Sequence, residues 1–122
     1  MTENKVFLND QDIVEIHVVG DQTYDSVMQM GNQARVLLTK LEKDEKPGLI
    51  LDNITKLGGS DTAARQAVKD LAQDLPFEKT AMLGTKNLLL SVGTKILLQA
   101  IGQSSKIKYF DTLNAAVTWL KK

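Results

Sequence analysis

Few residues in this chain of 122 could do chemistry, and they are not gathered in one motif. The single histidine, His17, lies in "IVEIHVV", where alternation puts it on one strand face with Glu15 and opposite Val14, Ile16 and Val18. General acid–base work or metal binding would need convergent partners that the surrounding sequence does not supply, so a surface position is expected for it. The richer stretch is "LILDNITKLGGSDTAARQ", an apolar run that reaches Asp52-Asn53, crosses Gly58-Gly59-Ser60-Asp61-Thr62 and enters a helical pattern. A strand-to-helix junction of this kind places free N–H groups and a positive dipole end beside hydroxyls, which suits an anion or a phosphorylated side chain. The same residues also suit plain capping, in which Ser60, Asp61 or Thr62 closes the first turn and stabilises it by ~0.5–2 kcal/mol against alanine. The glycines would then supply positive φ in a turn.

If the sheet is open and parallel, its ligand rim lies at the carboxyl ends of the strands. That rim would gather Asp52, Asn53, Gly58, Gly59, Asp61, Thr85 and Lys86 as a partner- or anion-binding surface, with Asp111-Thr112 beside them. An acid, a hydroxyl and a lysine at one rim invite comparison with a phospho-receiver domain. That arrangement needs an acidic pair after an early strand and a lysine after the last, whereas this chain has Gly20 and Asp111 at those places. "GTK" at Gly84 is a fragment of a P-loop without the upstream glycine and its spacing.

The elements that must position these residues follow from the apolar pattern. "KVFLND" and "DIVEIHVVG" read as two strands joined by a tight turn. Between Thr23 and Lys43, Val27, Met30, Ala34, Leu37, Leu38 and Leu41 recur at three- and four-residue spacing, one face of an amphipathic helix with Thr23 as N-cap. Leu49-Ile50-Leu51 reads as a short strand buried on both faces. The next helix runs from about Asp61 to Leu75, with Ala64, Ala67, Val68, Leu71 and Leu75 inward, and Pro76 stops it. "TAMLG" is a fourth strand, Asn87 to Ile101 a third helix, "KIKYF" a fifth strand and "TLNAAVTWLKK" a closing helix. The order β-β-α-β-α-β-α-β-α predicts an α/β fold: a mixed, mostly parallel five-stranded sheet with four helices, the first strand an antiparallel edge. The whole of 1–122 reads as one domain.

The third helix is apolar on more than one face. Leu89, Gly93, Leu97 and Ile101 mark it as a candidate pocket or dimer face, the alternative being a core helix covered by the closing one. "GTKNLL" and "GTKILL" recur nine residues apart, too short an offset for a structural repeat.

Composition narrows the function classes. Fifteen basic residues balance fifteen acidic ones, so no basic field favours nucleic acid. The absence of cysteine removes disulfides, thiolate metal sites and cysteine nucleophiles. The N-terminus lacks an apolar signal region and no stretch is long enough to span a membrane, so a cytoplasmic chain without a transmembrane segment is expected. No cofactor fingerprint is present, and neither a catalytic residue nor a metal is expected.

Three stretches, "GLILDNITKLGGSDTAARQAVKDL", "KTAMLG" and "AIGQSSKIKYFDTLNAAVTWL", together with the element order, resemble the STAS family. The nearest likeness is to its SpoIIAA-like branch, whose relatives include anti-sigma factor antagonists of bacteria. In the last stretch Phe110, Ala115, Ala116, Trp119 and Leu120 carry the likeness. The branch is also similar in architecture to Sec14-like lipid-binding domains. The resemblance implies a non-enzymatic regulatory module in bacterial cytosol that works through a protein partner. The alternative is a carrier or sensor of a small apolar ligand or lipid. In the antagonists an Asp-Ser pair opens the helix after the central strand, and its Ser is phosphorylated by a partner kinase. An ungapped match sets Ser60 on the Asp and Asp61 on the acceptor, while one extra residue in the turn sets Asp61 on the Asp and Thr62 on the acceptor. Ser60 and Thr62 are therefore the candidate phosphoacceptors.

Overall fold

The computed structural model describes residues 3–89 and 106–122. Asn9 starts the fold's first reversal: its side-chain oxygen accepts from the backbone N–H groups of Gln11 (2.8 Å) and Ile13 (3.1 Å). This Asx-type turn, with Asp12 at φ 61°, folds β1 (Lys5–Leu8) back on β2 (Ile13–Gln22) as an antiparallel pair. Thr23 then caps α1 (Tyr24–Lys43): its hydroxyl accepts from Ser26 N–H while the Ser26 hydroxyl accepts from Thr23 N–H, a reciprocal capping box. β3 (Leu49–Ser60), α2 (Thr62–Asp74), β4 (Lys79–Leu83), α3 (described over Lys86–Leu89), β5 (Ile107–Phe110) and α4 (Leu113–Leu120) follow among the described residues. Leu75, held in the extended region by the proline that follows, ends α2. Gly93, Leu97 and Ile101 of the expected apolar face lie outside the described residues, as does the side chain of Leu89.

Spatial strand order equals chain order, β1-β2-β3-β4-β5, with every pair after the first parallel. Successive crossovers of one hand that always step the same way must land on one face of the sheet. α1 and α2 do so. Val27 and Met30 of α1 and Ala64, Ala67 and Leu71 of α2 pack with Val18, Ile54 and Met82, while Ala34, Leu38 and Leu41 of α1 cover Val14 and Ile50. α4 takes the opposite face through Ala116 and Leu120, against Ile13, Leu49, Leu51, Ala81 and Leu83. Lys79 fastens that helix, donating to the Trp119 carbonyl (3.0 Å) with its ammonium 5.1 Å from the indole centroid.

The strand expected at Leu49–Leu51 is twelve residues long and does not stop on the acid. Beyond Asn53↔Leu83 it outruns β4 and pairs only with β2, at Val19↔Lys56, Gly20↔Leu57 and Gln22↔Ser60, with register shifts between them. Gly58 and Gly59 are therefore strand residues. A Cβ at Gly58 would come within 3.0 Å of backbone atoms of Gly20 and Asp21, so glycine is required there by close approach of the strands. Gly20, at φ +76°, supplies the backbone irregularity opposite it.

Candidate functional site

The two-stranded extension of β2 and β3 forms one wall of a cavity roofed by α1 and α2. The volume is ≈140 Å³, and among the described residues its lining is nearly all apolar: Val18, Met30, Ile54, Val68, Leu71 and Met82 contribute most of the character. The local sequence explains the gap. α2 turns Ala64, Ala67 and Ala72 inward where larger side chains would fill the interlayer space, and Gly31 of α1 lets the two helices approach. Close-packed interiors leave few such spaces, and this one is a hollow that opens partly to the surface.

One acid faces into it. β-strand alternation puts Asp52 on the helix side with Ile50 and Ile54, and it lines the cavity wall. Its Oδ1 is closed to solvent and takes no hydrogen bond. The residue as a whole keeps some accessible surface, as a position on a cavity wall allows. Burial pushes this carboxyl up to about 7, with His17 acting in the opposite direction. His17 itself, as its alternation predicts, lies on the other sheet face, stacked on Phe7 and 3.0 Å from Glu15 Oε1.

Two other polar groups on the lining, Gln22 and Arg65, have work elsewhere. Gln22, buried at the end of β2, accepts from Asn4 Nδ2 and Ser26 Oγ (2.9 Å each) and donates to the Val19 and Gly20 carbonyls (3.0 and 3.1 Å). It thereby ties the segment before β1 and the start of α1 to the rim. Arg65 donates from Nη1 to the Ser60 carbonyl (2.6 Å) and from Nη2 to the Thr62 hydroxyl (3.4 Å), pinning α2 to the strand extension.

The residues expected along one rim are placed apart. Asp52 and Asn53, adjacent in β3, point to opposite faces, and Asn53 Oδ1 accepts from the backbone N–H (3.0 Å) and hydroxyl (2.7 Å) of Thr55. Gly59 N–H donates to Asp21 Oδ1 (2.6 Å). Thr85 caps α3 by accepting from Leu88 N–H, its carbonyl accepts from the Tyr109 hydroxyl, and the exposed Lys86 ammonium lies 3.9 Å from Asp111. Ser60 is half-buried on the cavity lining and Thr62 is exposed at the first helical position. Between them Asp61 is the N-cap, its carboxylate accepting from Ala64 N–H at 2.8 Å. Replacing Asp61 by Ala is expected to lower stability by ~1 kcal/mol in urea denaturation. An unchanged midpoint would mean that α2 is held by tertiary contacts alone.

Sequence reasoning did not find Gln22 or the cavity. The signal for Gln22 was a polar residue continuing the β2 alternation past Gly20. For the cavity it was the alanine content of the inner α2 face. Among the described residues no group of histidine and acidic side chains is arranged to hold a metal ion, and no helix is long and apolar enough to cross a membrane.

No family profile matches the chain, and no curated protein does. Solved structures do match. An uncharacterised protein of the DUF3478 family with a SpoIIAA-like fold, from Shewanella loihica PV-4, superposes with a TM-score of 0.61 at 21% identity, over 96% of this chain and 91% of that one. The anti-sigma factor antagonist SpoIIAA in its unphosphorylated form superposes with a TM-score of 0.63 at 16% identity, over 97% of each chain. The chain thus has the SpoIIAA-like, or STAS, fold.

Proposed function

We propose that this chain is a non-enzymatic binding domain of regulatory type, and that it takes a small apolar ligand into the cavity between the sheet and helices α1 and α2. The observation that carries the reading is the cavity itself: ≈140 Å³ of space walled almost entirely by apolar side chains of the described residues. Concave, apolar sites with a few placed polar groups are where small molecules bind. A cavity of comparable size cut into a protein core admits benzene. A SpoIIAA-like scaffold supports a regulatory rather than a catalytic role, since one structure with this fold is an anti-sigma factor antagonist.

A second reading is a protein partner docking at the start of α2 under control of phosphorylation. One observation favours it: the Arg65 guanidinium, 3.4 Å from the Thr62 hydroxyl, would pair with a phosphate on that oxygen. Asp61 at the cap would oppose the same phosphate. Mass spectrometry of the protein from its source, under native and then denaturing conditions, separates the two. A small mass that leaves on denaturation supports the cavity reading, whereas a phosphate that survives it supports the switch at Ser60 or Thr62. A clean chain that also fails to take up toluene would remove the cavity reading.

A further inference from the structure

We propose that Asp52 is the polar anchor of the cavity and that the ligand it selects is a small primary amine carrying a compact apolar body. The inference rests on the cavity being a binding site, and it adds the ligand's head group. An unpaired carboxyl oxygen on an otherwise apolar wall is a costly feature unless something meets it. No described residue does. Of the other polar groups on the lining, the Gln22 amide is committed to the β1–β2–α1 junction, Arg65 is committed to Ser60 and Thr62, and the Ser60 and Thr80 hydroxyls leave Oδ1 without a bond. Among the described residues, the elements packed around Asp52 bring mainly apolar groups to the same space, such as Met30 from α1, Val68 and Leu71 from α2 and Met82 from β4, with the Thr80 hydroxyl the nearest polar side chain on β4.

The chemistry of the ligand follows by exclusion. An anion would meet an acid, and among the described residues of the lining the single cation, Arg65, is already engaged by Ser60 and Thr62. A pure hydrocarbon would fill the volume but leave Oδ1 without a donor. A neutral alcohol would supply the donor but not the charge. An ammonium supplies both, and a charge-assisted hydrogen bond is the stronger of the two. The volume restricts the body to about the size of one benzene ring.

The test is titration of the wild-type protein and of Asp52→Asn with benzylamine, benzyl alcohol and toluene at pH 8, read from side-chain methyl chemical shifts. In the wild type benzylamine is expected to bind at least tenfold more tightly than toluene or benzyl alcohol. In Asp52→Asn that preference is expected to vanish while toluene binds as before, which also shows that the variant is folded. Equal binding of benzylamine and toluene to the wild type, equal binding of benzylamine and benzyl alcohol, or a preference retained in Asp52→Asn would each overturn the anchor and leave the cavity reading standing. If none of the three compounds binds the wild type, the cavity reading fails and the anchor with it.

Discussion

Asp52→Asn is expected to raise folding stability at pH 8, by up to about 4 kcal/mol, while changing it little at pH 4. The cause is burial, which lifts the folded-state value of this carboxyl from 3.8 to about 7. Below about pH 4 the group is protonated in both states and contributes nothing. From there to about pH 7 the unfolded chain loses the proton and the folded one keeps it. The folded state then binds more protons, so stability falls as pH rises. Above about pH 7 both forms are ionised and the full penalty is in place. Asn removes the charge and keeps the shape. It still leaves a polar group on an apolar wall, so the figure is an upper bound. Urea denaturation of both proteins from pH 4 to pH 8 reads the effect as two curves that diverge with rising pH. Parallel curves, or a variant less stable at pH 8, would mean that Asp52 is solvated or paired in the folded protein.

The second large effect is a contrast between two leucines. Leu41 is almost fully buried in the cluster formed by Val14, Ala34, Leu38, Ile50 and Phe77. Leu71 is nearly as buried but stands on the cavity wall. Truncating a packed leucine to alanine costs about 2–5 kcal/mol, the upper part of that range applying where the surroundings cannot collapse. A side chain with empty space on one side has fewer contacts to lose. Leu41→Ala is expected to cost about 3 kcal/mol, and Leu71→Ala at least about 1 kcal/mol less. Equal costs in denaturant titrations would indicate that the space beside α2 is filled in solution.

The apolar periodicity was enough for the element order, the antiparallel edge and the α1 and α2 boundaries, because Thr23, Asp61 and Pro76 punctuate the pattern with residues whose local chemistry allows little else. The length of β3 was not legible. Gly58-Gly59 reads as a turn in isolation, and only the approach of the Gly20-Asp21 backbone reveals that glycine serves strand packing there. That error moved Asp52: an acid at a strand end belongs to a rim, whereas an acid eight residues before the end belongs to an interior face. The cavity was out of reach for a related reason. Ala64, Ala67 and Ala72 are visible in the sequence, but whether small side chains bring two layers together or leave a gap depends on where α1 and the β2–β3 extension hold the helix.

The measurement that tests the central claim most directly is a toluene titration followed by methyl NMR. If the cavity is a binding site, the methyl resonances of Met30, Ile54, Leu71 and Met82 will shift together and saturate, while exposed methyls such as those of Val36 and Leu113 stay in place. Resonances that do not move up to the solubility limit of toluene, or that move alike across the exposed surface, would contradict it.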